Sequence, residues 1–258
     1  MPMNAPITSW QGRRVWVVGA STGIGAAIAA TLLDRGARVA LSARRREPLD
    51  ELASRNAGNA LVLPLDVTLP AEVREAFAEL KARWGGADVV LMVAGSYRPM
   101  RAWEFDANWA RALFELNVMG VMNVLSEVLP FCLEAREGHI AIVSSVAGYR
   151  GLPKALVYGA TKAALINLAE GLYLDLAPRG IGVSVINPGF VKTPLTDDND
   201  FDMPALITPA EAAAHTLRGL ERGEFEIHYP KRFTRWLKLL RLLPYRWYFP
   251  IVHRITGL

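Results

Sequence analysis

With 258 residues, 52% of them hydrophobic, and a single cysteine, this chain can bury the core of one large α/β domain but can form no internal disulfide and no cysteine-based zinc site. Its formal charge of +4 sits at one end: Lys231 to Leu258 holds seven cations and no acid, so the remainder is net negative and the basic balance is a property of that segment. Met1 to Gln11 lacks the basic-then-apolar order of a signal peptide, and no uncharged apolar run reaches the ~18 residues that cross a bilayer, which points to a reducing, cytoplasmic setting.

Arg14 to Val18 reads as a short buried strand running into Gly19-Ala20-Ser21-Thr22-Gly23-Ile24-Gly25 and then an Ala-rich helix to about Arg35. A strand, a glycine turn and a helix N-terminus form an anion site, because the turn lets a pyrophosphate approach and the first N–H groups of the helix face its charge. The spacing is G-x-x-x-G-x-G rather than the G-x-G-x-x-G of the general dinucleotide fingerprint, and a glycine turn with no ligand is the plain alternative. Arg38 to Ser42 is a second strand. It ends where a dinucleotide protein selects its adenosine ribose. NAD-selective sites place an acid there, ~20 residues past the glycines, whereas this chain has Ala43-Arg44-Arg45-Arg46. Guanidinium groups suit a 2′-phosphate, since they offer charge and paired donors to its oxygens; a solvated basic helix start is the alternative.

Ala60 to Leu65 is a third strand closed by Asp66-Val67, Pro70 to Trp84 a helix with Val73, Phe77 and Leu80 at core spacing, and Asp88 to Val93 a fourth strand ending in Ala94-Gly95. Strands alternating with helices imply right-handed crossovers and a doubly wound parallel sheet, whose ligands bind at the carboxyl ends of the strands. Ala107 to Arg136 reads as one long, mostly helical segment with Asn117 in its middle, a polar residue that such a helix usually satisfies locally. Gly138 to Ser144 is the fifth strand, with Ser145 just past it. Ala155 to Ala177 has helical spacing, which puts Tyr158 and Lys162 on one face. A free phenol has a pKa near ~10, and an adjacent cation favours the phenolate and draws that value towards the working range.

Gly182 to Ile186 is the sixth strand, followed by Asn187-Pro188-Gly189. Thr193 to Ile207 is polar and acidic, with Asp197, Asp198, Asp200 and Asp202, the composition of a lid or of an ordinary surface loop. Thr208-Pro209-Ala210-Glu211 is a capping box that opens the next helix. Glu226 to Tyr229 reads as a last edge strand. From Lys231 to Leu243, basic residues at 231, 235, 238 and 241 form one face, and Phe233, Trp236, Leu237, Leu240 and Leu243 another; Pro244 ends the run and further aromatics follow. That pattern suits a helix lying in a membrane interface, an arm on a partner subunit, or a cover over an apolar pocket. The expected architecture is one α/β domain with a Rossmann-type doubly wound parallel sheet over residues 1–230, and a basic amphipathic helical extension over 231–258.

Taken together, Gly19-x-x-x-Gly23-Ile24-Gly25, Asn117, Ser145, Tyr158-x-x-x-Lys162 and Asn187-Pro188-Gly189 to Thr193 resemble the classical short-chain dehydrogenase/reductases, in order and separation, over roughly Gly12 to Arg222. The resemblance implies that Tyr158 is the proton donor in carbonyl reduction and the base in reverse. Lys162 would hold the nicotinamide ribose and lower the Tyr158 pKa, and Ser145, rather than Ser144, would hydrogen-bond the substrate oxygen. Asn117 would anchor a water extending the proton relay. Gly19, Ser21, Thr22, Gly23, Ile24 and Gly25 would hold the pyrophosphate, Asp66 and Val67 the adenine, and Ala94 and Gly95 the ribose region. Pro188, Gly189, Val191 and Thr193 would hold the carboxamide end of the nicotinamide. Arg44, with Arg45 beside it, falls where NADP-dependent members carry a basic residue.

Three departures stand out. Met92-Val93-Ala94-Gly95 replaces the family's frequent Asn-Asn-Ala-Gly and removes the usual polar anchor of that turn; Thr22 stands where many NADP users have a second basic residue; and Lys231 to Leu258 replaces the familiar C-terminal end. The expected function is that of an oxidoreductase preferring NADP(H), with NAD(H) as the other possible cofactor, acting without a metal on an apolar or lipid-like carbonyl or secondary alcohol. It is expected to be a homo-oligomer, cytoplasmic, peripheral on the inner face of a membrane through residues 231–258, and without a nucleic-acid partner. The alternatives are a 3-oxoacyl thioester reductase and a non-catalytic nucleotide-binding module recruited to membranes. The intact Asn117, Ser145, Tyr158 and Lys162 set argues against the latter, since a sensor needs the cofactor pocket but not the phenol.

Overall fold

The computed structural model describes residues 2–54, 56–196 and 203–257. Asp197, Asp198, Asp200 and Asp202, the acids of the lid-or-loop segment, lie outside the described residues. Short runs rich in Val, Ile and Leu form β1 (Arg14–Val18), β2 (Arg38–Ser42), β3 (Ala60–Val62), β4 (Val89–Met92), β5 (His139–Val143), β6 (Gly182–Pro188) and β7 (Glu226–Tyr229). They pair in parallel in the order β3-β2-β1-β4-β5-β6-β7. The chain reverses its direction of travel between β1 and β4, and at such a switch the strand ends leave a crevice. Helices α1 (Gly23–Asp34), α2 (Glu47–Ser54) and α3 (Pro70–Trp84) follow the first three strands. Next come α4 (Ala107–Phe114) and α5 (Gly120–Ala135) after β4, α6 (Leu156–Leu176) after β5 and α7 (Pro209–Glu221) after β6; α8 (Lys231–Arg241) and α9 (Tyr245–Thr256) close the chain.

Both faces of the sheet are covered, and β1 shows how one strand serves both. Val15 and Val17 pack with Ile28, Leu32 and Leu217 on one side, while Trp16 and Val18 pack with Phe77, Val90 and Val124 on the other. That is the two-residue period of an extended chain, and each such buried side chain contributes about 1.5–3 kcal/mol. Trp16 stacks on Phe77 with 5.5 Å between ring centres, and its indole N–H donates to Ser42 Oγ at 2.9 Å, which satisfies the one polar group the ring brings inside.

Several boundaries differ from the apolar runs. β3 as a regular strand extends only to Val62, short of Leu65, although the Leu63 N–H reaches the Leu41 carbonyl at 2.9 Å and the Leu65 N–H the Ala43 carbonyl at 3.1 Å; Pro64, with no N–H, is tolerated because β3 is an edge strand. Asp88 lies just before β4; its backbone already bonds to the Arg14 carbonyl at 2.8 Å and the His139 N–H at 2.9 Å, and its carboxylate accepts the Arg14 backbone N–H at 2.8 Å and the Arg14 Nε–H at 3.0 Å. β6 runs on through Asn187 and Pro188, which pair with His228 and Tyr229 of β7. The expected single helix over Ala107 to Arg136 is two helices joined by a π-turn, Glu115–Met119, centred on Asn117. The stretch Ala107–Ala135 is apolar enough in composition to span a bilayer. Here Val121, Val124, Leu125, Val128 and Cys132 of α5 are core, which makes it a core helix of the folded domain.

The extension does not divide as its spacing reads. Phe233 and Leu237 pack on the main core and Thr234 is fully buried. Lys231 and Lys238, two of the cations assigned to a basic face, pair with Glu224 and Glu226. The body presents apolar surface and two carboxylates at the same place, so the helix docks with some of each kind. Besides Lys231 and Arg241, α8 and the turn after it leave exposed Arg232, Arg235, Trp236, Leu239 and Leu242, which share a stripe because they lie three, four and seven apart.

Candidate active site

The strand ends converge on a cleft of about 690 Å³. At its floor, β1 enters a glycine turn that admits no side chain. Gly19 has φ +102°, and a Cβ there would lie 2.4 Å from the Ala94 backbone nitrogen; a Cβ on Gly25 would lie 2.0 Å from the Gly19 carbonyl oxygen. Thr22 precedes α1 without capping it through its side chain, so the first N–H groups of the helix are left to a ligand. Thr193 closes over the turn, with its methyl 2.9 Å from where a Gly23 Cβ would stand.

Every residue assigned to the dinucleotide, Gly19, Ser21, Thr22, Gly23, Ile24, Gly25, Arg44, Arg45, Asp66, Val67, Ala94, Gly95, Tyr158, Lys162, Pro188, Gly189, Val191 and Thr193, lines this cleft. The three arginines after β2 separate in role. Arg46 pairs with Asp50 one helical turn on, at 3.1 Å, whereas Arg44 and Arg45 are exposed on the cleft wall. A phosphate-sized approach at the glycine turn and uncapped helix N–H groups fit a dinucleotide, with two guanidinium groups standing at the end of β2.

On α6, Tyr158 and Lys162 both reach the cleft, with Lys162 Nζ 5.7 Å from the Tyr158 ring centre. Lys162 is buried and its Nζ donates to the Val143 carbonyl at 3.0 Å; burial lowers its pKa to about 8. Among protein groups, burial outweighs the expected effect of Lys162 on the phenol. Tyr158 is pushed up to about 12, with the Ser145 hydroxyl, in hydrogen-bonding reach, pulling the other way. The two serines after β5 are distinguished by geometry: Ser144 Oγ donates to the Lys162 carbonyl at 2.7 Å and so ties β5 to α6, while Ser145 Oγ accepts the Ala147 N–H at 3.1 Å and faces Tyr158.

Asn117 lies behind the cleft wall rather than on it. The π-turn aims it inward, where it is fully buried: its Oδ1 accepts the Ser96 N–H at 2.8 Å, and its Nδ2 donates to the Ser96 carbonyl at 3.0 Å and to Thr161 Oγ1 at 3.1 Å. The alternative of a locally satisfied residue therefore does not hold, since its partners are 21 and 44 positions away. Asn117 ties the segment after Ala94-Gly95 to α6, supplying the polar anchor that Met92-Val93 lacks. The sequence reading missed Ser96 and Tyr97, which also line the cleft, the Tyr97 ring standing edge-on 4.8 Å from that of Tyr158. Their position directly after Ala94-Gly95 was the available signal.

Comparison with known proteins agrees with this arrangement. The profile of the family described as short chain dehydrogenase matches residues 13–203. The chain belongs to that family. An uncharacterized oxidoreductase of Myxococcus xanthus is 37% identical over 235 residues, covering 90% of this chain and 93% of the relative. One of Staphylococcus saprophyticus is 35% identical over 209 residues, covering 78% and 89%. A crystal structure of a short-chain dehydrogenase from Streptomyces avermitilis superposes with a TM-score of 0.77 at 29% identity, over 88% of this chain and 92% of that one. This short-chain dehydrogenase is thus an oxidoreductase of a family that uses nicotinamide nucleotides.

Proposed function

We propose that this short-chain dehydrogenase prefers NADPH and reduces an apolar, lipid-like carbonyl to the secondary alcohol, or the reverse, at a membrane surface. The observation that carries the reading is one cleft lined by Arg44 and Arg45 at one end and by Ser145, Tyr158 and Lys162 at the other. The nucleotide, when bound, supplies the hydride. Tyr158 holds the proton destined for the substrate oxygen, and Ser145 donates to that same oxygen and fixes the carbonyl against the phenol. Lys162, charged below about pH 8, is the cation that stabilises a developing phenolate and holds the ribose. Asn117 keeps the Ser96 backbone and Thr161 in register, and in this reading it also anchors a relay water behind Lys162.

Paired fluorescence titrations with NADPH and NADH test the cofactor assignment. Arg44→Ala is expected to weaken NADPH by about tenfold to a hundredfold, the worth of one or two charge-assisted hydrogen bonds, and NADH by less than about twofold. Equal losses for the two nucleotides would refute it.

The chain divides in this reading into the 1–230 catalytic unit, which is expected to form homo-oligomers, and the 231–258 extension. The membrane contact rests on the exposed stripe of α8, where Trp236 is 67% exposed, Leu239 59% and Leu242 78%, flanked by Arg232 and Arg235. Aromatic and aliphatic groups at headgroup depth with cations beside them suit an anionic bilayer. Replacing Trp236 and Leu239 together by Ser is expected to lower co-sedimentation with phosphatidylglycerol vesicles at least about tenfold, given about 1.5–3 kcal/mol per buried side chain. Unchanged sedimentation, or loss of self-association instead, would transfer the stripe to another partner.

A further inference from the structure

The segment that joins Ser145 to Tyr158 is held from outside by the extension. Three consecutive residues, Tyr149, Arg150 and Gly151, each bond to it or to its anchor. The Tyr149 hydroxyl donates to Glu226 Oε1 at 2.5 Å; the same oxygen accepts from Asn187 Nδ2 at 3.0 Å, while Glu226 Oε2 is paired with Lys238 of α8. Arg150 Nη1 donates to the carbonyls of Leu240 at 3.1 Å, Arg241 at 3.1 Å and Leu243 at 2.6 Å, at and just past the end of α8, where a cation is favoured. Its guanidinium also lies 4.0 Å from the ring centre of Tyr248 and 4.5 Å from that of Tyr245 in α9, and the Tyr248 hydroxyl donates to the Gly151 carbonyl at 2.7 Å. On the neighbouring strand end, the Phe233 ring stands 3.1 Å from where a Gly189 Cβ would be. One surface of α8 and α9 thus touches both the Ser145–Tyr158 segment and the Pro188-Gly189 turn.

We propose that α8 and α9 brace the active site from outside, and that Arg150 is a positioning residue whose grip on the end of α8 sets the spacing of Ser145 against Tyr158. The consequence concerns function more than stability. Catalysis by oriented groups loses up to about a hundredfold for a displacement near 1 Å, and the segment from Gly151 to Lys154, between the clamp and α6, has no regular secondary structure of its own. This extends the carbonyl-reductase reading from residues within the cleft to one outside it. Anything seated on the exposed side of α8 bears on the same brace.

The test uses full-length Arg150→Ala and Arg150→Lys, because Thr234 and Tyr248 are buried and removal of the whole extension would expose core. Hydrogen–deuterium exchange is read across 144–158, with the peptides of β1 and β2 as internal reference, and NADPH-dependent reduction of 9,10-phenanthrenequinone supplies kcat and KM. Arg150→Ala is expected to raise exchange over 144–158 about tenfold while β1 and β2 stay unchanged, and to lower kcat about tenfold with KM for NADPH within about twofold. Arg150→Lys, which keeps a cation able to donate to the same carbonyls, is expected to recover most of both. Unchanged exchange over 144–158, an equal rise in β1 and β2, or raised exchange with unchanged kcat would each overturn the proposal. The exchange measurement is independent of turnover: an inactive parent protein would count against the carbonyl-reductase reading and leave the clamp to be judged by exchange alone.

Discussion

Tyr158→Phe is expected to lower kcat by about a thousandfold or more, some 4 kcal/mol of transition-state stabilisation, while the affinity for NADPH changes by less than about twofold. The substitution removes one hydroxyl and keeps the ring that packs against Tyr97 and the Met100, Leu113 and Val157 cluster, so the loss reports on the proton and not on the fold. The hydroxyls of Tyr149 and Tyr248 do not take its place, being bonded to Glu226 and to the Gly151 carbonyl. Following NADPH oxidation with a panel of apolar ketones would check this, and turnover within about tenfold of the parent would remove Tyr158 from the mechanism. The same phenol predicts a difference between directions. Pushed up to about 12, it is protonated throughout the neutral range, which reduction needs; reduction is therefore expected to stay level until Lys162, lowered to about 8, loses its charge. Oxidation needs the phenolate and is expected to rise by about tenfold per pH unit through the same range.

Gly25→Ala is expected to abolish dinucleotide binding, with a loss of at least about a hundredfold in fluorescence titration. The added methyl would stand 2.0 Å from the Gly19 carbonyl oxygen and 2.9 Å from its carbon. Both atoms are backbone of the same turn, so the methyl is accommodated only by moving the turn away from the start of α1, and that separation is what a pyrophosphate occupies. The strain itself costs about 1–3 kcal/mol, leaving a folded protein whose circular dichroism and sedimentation remain those of the parent. Gly171→Ala is the matched control, for it lies on the exposed side of α6 with nothing within 4 Å of its Cβ position. It is expected to bind nucleotide normally and to melt slightly higher, Ala exceeding Gly by up to about 1 kcal/mol in a helix. Normal binding by Gly25→Ala would show that the turn does not carry the anion.

These two residues were legible in the linear chain because their chemistry depends on near neighbours. A glycine turn between a Val-rich strand and an Ala-rich helix, and a Tyr and a Lys one helical turn apart, are set by local periodicity, and the structure keeps both. The capping box at Thr208 and Glu211 is equally local, with the Glu211 N–H donating to Thr208 Oγ1 at 3.2 Å. Asn117 was legible as a residue but not as a conformation. The π-turn that aims it inward is supported by Ser96 and Thr161, 21 and 44 positions away, and no spacing within 107–136 announces them. The direction of the Tyr158 shift was likewise out of reach, since proximity of a cation is visible in a four-residue spacing whereas burial is a property of everything packed around the ring. The extension shows the difference most plainly. Its period is helical and its composition basic and apolar, and α8 forms accordingly. Which of its apolar residues meet the body depends on where the core leaves a surface for Phe233 and Leu237, and which of its cations are used up depends on Glu224 and Glu226 arriving beside it. Periodicity determines that a helix has faces; only the packed neighbours, brought together from distant parts of the chain, decide which face is covered and which meets solvent or a partner.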